Sequence, residues 1–328
     1  MLLDFNIEDV FRGEKKAVAH VLNLLEDRRP ASLEQNKALI EKLSNNARPS
    51  RHVIGITGPP GVGKSSLMTH IIREYRSRGK TVGVITVDPS SQRSGGALLG
   101  DRARIVHDPN DEGVFLRSMA AGSHMGGLAW RTRHCLTVFE AVYDIIIIET
   151  VGVGQSETEI DQVAGTVAFI VQPGSGDILQ FMKAGVMEIP HVLVVNKADQ
   201  KALAARARND LMVARTYSQS ALEGWELQLV MTSALEGWGH KELIDVLERH
   251  NMFLSEKGIL ETFRRRKRIE WVIMLFRERF GAFGFEVLGG EEKVRKMIAR
   301  GDINNPLERL QALEKKVFCN RLPQRAQR

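Results

Sequence analysis

Cysteine is scarce in this sequence, and no run of apolar residues is long. Cys135 and Cys319 are the only cysteines among 328 residues, which argues against a disulfide framework and against a zinc site. No apolar run approaches the roughly 20 residues of a transmembrane helix, and the first residues lack the apolar core of a signal peptide. We therefore expect a soluble, cytoplasmic protein that does not associate with membranes.

Histidines and basic residues lack the patterns of a metal centre or a nucleic-acid interface. The nine histidines form no HExxH motif and no run, so we interpret His107, His124 and His134 as structural. The net charge is a modest +6. The densest basic run, Arg264–Arg268, has no interleaved aromatic residues, so we expect a solvated face or an acidic partner there and no nucleic acid.

Hydrophobic periodicity divides the chain into three regions. Residues 1–50 have helical spacing, residues 51–252 alternate β-branched runs with helical stretches, and residues 253–328 again have helical spacing. The alternation predicts an α/β fold with a mostly parallel sheet flanked by helices, extended by helices at both ends. The predicted strands are Val53–Thr57, Thr81–Val87, Asp144–Glu149, Thr166–Val171, Val192–Asn196 and Leu227–Thr232.

The C-terminal region contains one long apolar helical face. A region of this size has little core of its own, so the face would otherwise be exposed to solvent. We therefore expect it to be buried against a second copy of the chain. The face comprises Ile269, Val272, Ile273, Phe276 and Phe280.

A phosphate-binding loop follows the first predicted strand. Residues 58–65 read GPPGVGKS, between a predicted strand and a predicted helix. Backbone N–H groups of such a loop surround the β-phosphate at a helix N-terminus, while Lys64 would neutralise phosphate oxygens and the Ser65 hydroxyl would bind Mg²⁺. This predicts a P-loop NTPase domain. The assigned nucleotide-binding residues are Gly58, Pro59, Pro60, Gly61, Val62, Gly63, Lys64, Ser65 and Ser66.

A guanine-recognition segment follows a later strand. Residues 196–199 read NKAD, and a parallel strand would bring them to the same edge of the sheet as the phosphate loop. The Asp199 carboxylate can accept from guanine N1–H and N2–H₂, whereas adenine has an unprotonated N1. Asn196 would tie the loop, and the Lys197 stem would cover the base. Backbone N–H groups of a second segment, Ser233, Ala234 and Leu235, would contact guanine O6.

Carboxylates at strand ends indicate a metal site. Glu149 ends an apolar strand shortly before Gly152, the layout of a metal-side motif followed by a γ-phosphate-sensing switch. Most GTPases have aspartate at the position of Glu149. Asp88 and Asp101 are further carboxylates that can reach Mg²⁺ directly or through water. A strand-end turn for Asp88 and a helix N-cap for Asp101 stay open as alternatives.

Several strings resemble the MeaB/ArgK family of GTPases over about residues 50–240: GPPGVGKSS, VDPSS, GGALLGDR, ETVGVGQSE, PGSGDILQFMKAGVMEI and NKAD. The resemblance implies a GTP- and GDP-binding chaperone that protects adenosylcobalamin-dependent methylmalonyl-CoA mutase, or a related acyl-CoA mutase, and gates its cofactor loading. It also implies a homodimer joined through a C-terminal helical arm. By matching motifs it implies Mg²⁺ ligands at Ser65, Asp88, Asp101 and Glu149, and a partner-sensing switch at Asp177, Gln180 and Lys183.

The residue after Gly152 bears on the hydrolysis rate. Ras-like GTPases have a water-orienting glutamine there, whereas this chain has Val153. The phosphate loop, Lys64 and Mg²⁺, which Glu149 would help to hold, would still support some turnover. We therefore expect slow hydrolysis that a partner accelerates by moving Gln155 or Lys183 inward.

Two other functions stay open. Older labels for similar sequences suggest a kinase of periplasmic arginine- and ornithine-binding transport proteins, but base-specific recognition by NKAD favours a GTPase. A metallochaperone GTPase would need a cluster of cysteine and histidine that this sequence does not show.

Overall fold

A parallel seven-stranded sheet forms the centre of the fold. The computed structural model describes residues 6–26, 30–46, 51–88, 105–120, 127–150, 160–174, 189–217, 222–301, 303 and 306–321. The strands are β1 (His52–Thr57), β2 (Val82–Asp88), β3 (Val114–Ala120), β4 (Ile145–Thr150), β5 (Thr166–Val171), β6 (Val192–Val195) and β7 (Gln228–Met231). Their order is β3-β2-β4-β1-β5-β6-β7, and every neighbouring pair is parallel. The predicted fold class is confirmed.

Helices precede, flank and follow the sheet. The N-terminal helices are α1 (Ile7–Phe11), α2 (Lys15–Glu26) and α3 (Pro30–Asn45). Between strands lie α4 (Lys64–Ser77), α5 (Gly127–Val142), a short 3₁₀ helix (Ile160–Gln162) and α6 (Lys201–Tyr217), and α7 (His240–Glu256) follows β7. The C-terminal helices are α8 (Ile259–Val287), α9 (Glu291–Ala299) and α10 (Pro306–Arg321). Of the helices so described, none combines the length and hydropathy that a bilayer-spanning segment needs.

Both faces of the sheet are buried, because successive side chains of a strand point to opposite faces. In β4, Ile146 and Ile148 pack in a cluster with residues of α2, α3 and α5. Ile145 and Ile147 pack on the other face with residues of α4 and α7. The unbroken isoleucine run is therefore what a central parallel strand requires, and the N-terminal helices share the core of the sheet.

The edge strand β3 was not predicted from the sequence. Its segment, VFLRSMA, contains a charged and a hydroxyl residue, so it does not read as a continuous apolar run. Among the described strands, β3 pairs only with β2, and this edge position leaves room for its polar side chains. The Arg117 guanidinium reaches the carboxylate of Glu26 in α2 at 2.8 Å.

The C-terminal helices form their own core, which corrects the expectation of a face buried against a second chain. Within the predicted face, Val272, Ile273 and Phe276 are at most 2% exposed in the single chain. They pack with apolar residues of α9 and α10, such as Val294 and Leu313. The expectation failed because α9 and α10 fold back on α8, so this region has a core of its own.

The basic run before this core is partly structural. The buried Lys267 Nζ donates to the carbonyl oxygen of Ala164 at 2.5 Å, and the Arg264 guanidinium donates to that of Arg51 at 3.0 Å. Ala164 and Arg51 precede β5 and β1, so these bonds fasten α8 to the edge of the sheet where strands begin. Burial lowers the pKa of Arg264. The expectation of a solvated basic face is therefore wrong for these two residues.

Candidate functional site

The loop between β1 and α4 contains two glycines that no other residue could replace without a shift of its neighbours. Gly58 has φ +141°, and a Cβ there would lie 2.1 Å from the carbonyl oxygen of Ile170. Gly63 has φ +89°, and its Cβ would lie 2.6 Å from Nδ2 of Asn196. Both positions need glycine because of the positive φ and the close approach. The loop is thereby packed tightly against the end of β5 and against the NKAD segment.

Lys64 is held inside this loop. Its Nζ donates to the carbonyl oxygens of Gly58 at 2.8 Å and Pro59 at 3.0 Å, and its side chain is buried. The helix that begins at Lys64 runs for 14 residues, so its first N–H groups and its dipole also face the loop. The predicted strand–loop–helix context is confirmed, and the arrangement can hold a phosphate chain.

A hydroxyl and a carboxylate meet beside the loop. Ser65 Oγ donates to Glu149 Oε1 at 3.3 Å, and Glu149 is 5% exposed at the end of β4. The Thr150 hydroxyl donates to that of Thr57 at 2.9 Å, which ties the ends of β4 and β1 together. Oxygen donors of this kind suit Mg²⁺, which prefers hard ligands. The residues present therefore fit the ion.

Other predicted residues fall outside the described part of the chain. Asp88 is the last residue of β2, but its side chain is not among those described. The remaining predictions in this group are Asp101, Gly152, Gln155, Asp177, Gln180 and Lys183, which all lie outside the described residues.

Asn196 joins the phosphate loop to the end of β7. Its Nδ2 donates to the carbonyl oxygen of Val62 at 2.9 Å, and its Oδ1 accepts from the Thr232 hydroxyl at 3.1 Å. The backbone N–H of Ala234 approaches the same Oδ1 at 3.4 Å. Asn196 is 1% exposed, so these bonds are shielded from water. The predicted tying role matches this geometry.

Lys197 crosses the phosphate loop. It is the one non-glycine residue with positive φ in the described part of the chain, at 57°. Its Nζ donates to the carbonyl oxygen of Gly61 at 2.7 Å and to Oε1 of Gln172 at 2.6 Å. The strained backbone therefore directs the stem over the loop, as covering the base requires.

Asp199 is oriented by the second predicted guanine-recognition segment, which begins at Ser233. The Ser233 hydroxyl donates to Asp199 Oδ1 at 2.7 Å and accepts from the backbone N–H of Glu236 at 3.1 Å. This fixes the carboxylate while leaving acceptor capacity for a ligand. Leu235 is 86% exposed. The Ser233 N–H donates to the carbonyl oxygen of Trp238 at 3.1 Å, so the expectation that it contacts guanine O6 is wrong for Ser233. The structure therefore brings Asn196, Asp199 and Ser233 together at one edge of the sheet.

Sequence reasoning missed two polar partners in this site. Thr232 follows β7 and donates to Asn196, and Gln172 follows β5 and accepts from Lys197. Neither belongs to a motif. Their only signal was position, because each follows a strand that ends at the same edge as the phosphate loop.

The fold and this site define a P-loop GTPase: a phosphate loop after β1 and a guanine-recognition segment after β6 of one parallel sheet. The model of the family described as methylmalonyl Co-A mutase-associated GTPase MeaB matches residues 18–283. The chain belongs to this family, which confirms the resemblance found in the sequence.

Individual relatives agree with this assignment. A protein of Pyrococcus horikoshii named as a GTPase is 42% identical over 274 residues, covering 82% of this chain and 83% of the relative. The methylmalonic aciduria type A homolog of Caenorhabditis elegans, a mitochondrial protein, is 32% identical over 286 residues, covering 82% and 72%. The crystal structure of an LAO/AO transport system kinase superposes with a TM-score of 0.70 at 26% identity, covering 95% and 96%.

Proposed function

We propose that this GTPase protects an adenosylcobalamin-dependent methylmalonyl-CoA mutase, or a related acyl-CoA mutase, and gates its cofactor loading. The observation that carries the proposal is the family match over residues 18–283, whose description names an association with methylmalonyl-CoA mutase. The name of the nematode relative, which refers to methylmalonic aciduria, supports the same partner. We further propose that the chain works in the cytoplasm as a homodimer joined through residues 253–328.

The proposed roles of the site residues follow from their positions. Lys64 and the backbone N–H groups of the loop bind the phosphates, and Asp199 binds the guanine edge. Lys197, held by Gly61 and Gln172, covers the base. Mg²⁺, when bound, would neutralise charge on the β- and γ-phosphate oxygens. Ser65 and Glu149, 3.3 Å apart, would hold it, with Asp88 and Asp101 as further ligands.

Hydrolysis is proposed to be slow in the isolated chain. Val153 follows Gly152 and cannot orient a water molecule, whereas GTPases that use a glutamine there do so directly. A bound mutase would supply the missing group by moving Gln155 or Lys183 towards the γ-phosphate. Trans-acting groups contribute about 10³–10⁵-fold in well-studied GTPases, and we expect a smaller factor here because gating is the proposed task.

Single-turnover GTP hydrolysis with and without mutase tests this proposal. The mutase should accelerate hydrolysis by wild type, and Gln155→Ala or Lys183→Ala should reduce that acceleration. Acceleration retained in both variants would keep the gating function and move its catalytic group elsewhere. Fast hydrolysis by the chain alone, or no response to any adenosylcobalamin-dependent mutase, would contradict the proposal. Co-purification with candidate mutases, with and without a GTP analogue, identifies the partner.

A protein kinase is the second candidate, because the structural relative with a TM-score of 0.70 is named an LAO/AO transport system kinase. The two functions differ in where the γ-phosphate goes. Labelled phosphate on an arginine- or ornithine-binding protein would favour the kinase, and release as inorganic phosphate favours the GTPase. A metallochaperone function would show as nickel or cobalt binding in a titration without nucleotide.

A further inference from the structure

Two histidines stack between the phosphate-loop helix and the second guanine-recognition segment. His70 lies on α4 and His240 is the first residue of α7. Their ring centroids are 4.1 Å apart, with 3° between the ring planes. Nε2 of His70 lies 2.9 Å from the carbonyl oxygen of Ala234. A carbonyl can only accept, so this ring nitrogen carries the proton and donates it.

The segment that follows β7 is closed on itself by backbone hydrogen bonds. The Ser233 backbone N–H donates to the carbonyl oxygen of Trp238 at 3.1 Å, and the Gly237 N–H donates to that of Ser233 at 2.8 Å. A Cβ at Gly239 would lie 2.1 Å from the carbonyl oxygen of Met231, so the end of the loop is packed against β7. These contacts hold the two ends of the loop but leave open what orients the loop towards the guanine base.

The backbone of Ala234 is held on both sides. Its N–H approaches Oδ1 of Asn196 at 3.4 Å, and its carbonyl oxygen accepts from His70 at 2.9 Å. The first bond is long and weak by geometry. The Ala234 carbonyl belongs to the peptide that also contains the Leu235 N–H, so the shorter bond from His70 sets the orientation of that peptide.

His240 fixes the plane of the His70 ring. It is 7% exposed, and burial, followed by the neighbouring His70, lowers its pKa to about 4. The His240 ring is therefore neutral at neutral pH, and two imidazoles can stack without like-charge repulsion. Stacking leaves Nε2 of His70 directed at Ala234.

We propose that His70 is a positioning residue for guanine specificity, which holds the peptide between Ala234 and Leu235 so that the Leu235 N–H faces guanine O6. This inference rests on the proposed base site and adds a residue that touches neither base nor phosphate. Because α4 begins at the phosphate loop, His70 also connects the phosphate-binding helix directly to the second guanine-recognition segment, which follows β7.

Two nucleotide analogues separate this role from that of Asp199. In 6-thio-GDP, sulfur replaces only the oxygen that the loop would contact. In IDP, only the 2-amino group that Asp199 would contact is missing. Affinities of GDP, 6-thio-GDP and IDP are measured by calorimetry for wild type, His70→Phe and His70→Gln. The phenylalanine keeps the ring stack but loses the donor, and the glutamine amide replaces the Nε2 donor.

Wild type should bind GDP more tightly than 6-thio-GDP by about two- to tenfold, the net value of one hydrogen bond. In His70→Phe this ratio should fall to less than about twofold, while the ratio of GDP to IDP stays at the wild-type value. His70→Gln should restore the first ratio. Arg73→Ala, exposed on the next turn of α4, serves as the matched control and should leave both ratios unchanged.

Three outcomes overturn the inference: no discrimination against 6-thio-GDP by wild type, an unchanged ratio in His70→Phe, or an equal fall of both ratios. Equal binding of GDP, IDP and ADP by wild type would instead defeat the base-site assignment itself. If His70→Phe does not fold, His70→Asn carries the same prediction, because its shorter amide does not reach the Ala234 carbonyl.

Discussion

Nδ2 of Asn196 lies 2.9 Å from the carbonyl oxygen of Val62. One buried amide thus connects the base-reading segment after β6 to the phosphate loop after β1. The same side chain accepts from Thr232, so three loops from different strands meet at Asn196. We therefore expect a change at Asn196 to affect the predicted base site and the phosphate loop together.

The first prediction concerns this connection. Asn196→Ala should lower the free energy of unfolding by about 1–3 kcal/mol, because the Val62 carbonyl and the Thr232 hydroxyl lose a buried partner. It should also weaken the binding of GTP and the binding of GDP by similar factors. Denaturant unfolding and calorimetry measure the two effects. Asn110→Ala, at an exposed position, is the control, and wild-type nucleotide affinity in Asn196→Ala would contradict the coupling.

The second prediction concerns guanine selectivity. Asp199→Asn should weaken the binding of GTP and strengthen that of xanthosine triphosphate, whose C2 carbonyl can accept a hydrogen bond from the new amide. The Ser233 hydroxyl, now 2.7 Å from Asp199 Oδ1, can still donate to the amide oxygen, so the loop geometry should survive. Competition binding with GTP, ATP and xanthosine triphosphate measures the preference. Equal binding of ATP and GTP by wild type would refute the assignment of Asp199.

The third prediction concerns the metal side of the site. Lys64→Ala should abolish Mg²⁺-dependent turnover, and Ser65→Ala or Glu149→Ala should lower it by at least about 100-fold. Ser77→Ala, at the exposed end of α4, is the matched control. The measurement is phosphate release across a Mg²⁺ titration. Turnover that does not change in Glu149→Ala would remove this carboxylate from the site.

The fourth prediction concerns the stability of the fold at acid pH. It depends on a histidine cluster at the end of the sheet where β1 and β5 begin. The Thr166 hydroxyl lies 2.7 Å from Nε2 of His52 and 2.8 Å from Nδ1 of His250. Burial, and for His52 also the neighbouring His250, lowers the pKa of both rings from 6.5 to about 3. Burial also lowers the pKa of His191, which packs on His250.

Because these pKa values are lower in the folded chain, the unfolded chain binds more protons below pH 6.5. Stability should therefore be full above pH 6.5 and fall as the pH drops towards 3, by about 1.4 kcal/mol per pH unit for each group. Denaturant unfolding between pH 4 and 8 measures this slope. His52→Gln should reduce it, whereas His107→Gln, outside the cluster, should not. A flat profile in wild type would contradict the prediction.

The fifth prediction separates the internal C-terminal core from a dimer interface. Phe276 is fully buried and Phe318 is 55% exposed. Phe276→Ala should lower the free energy of unfolding by about 3–5 kcal/mol. Phe318→Ser should lower it by no more than about 1.5 kcal/mol, the value of the edge-on contact of Phe318 with Phe280, while weakening the proposed dimer in sedimentation. A wild-type chain that stays monomeric at every concentration would contradict the dimer.

The sequence alone determined the class of the protein and most of the sheet. Isoleucine and valine runs predicted the central strands because both faces of such strands are buried. The phosphate loop and the NKAD segment were recognisable because each needs fixed residue types at adjacent positions. Gly63 is needed for its positive φ, and Asp199 for its carboxylate. Each therefore appears as a fixed residue type within a short motif.

Only the tertiary structure decided which residues from distant segments meet. Gln172, Thr232 and His70 belong to no motif, and each acts through a contact with a segment far away in the chain. The internal core of α8, α9 and α10 was hidden for the same reason, since whether an apolar helix face meets its own chain or another depends on how the chain folds back. Local patterns predict secondary structure and the phosphate loop, because both depend on residues that are neighbours in the sequence. Contacts between distant segments depend on the complete fold, and only the structure shows them.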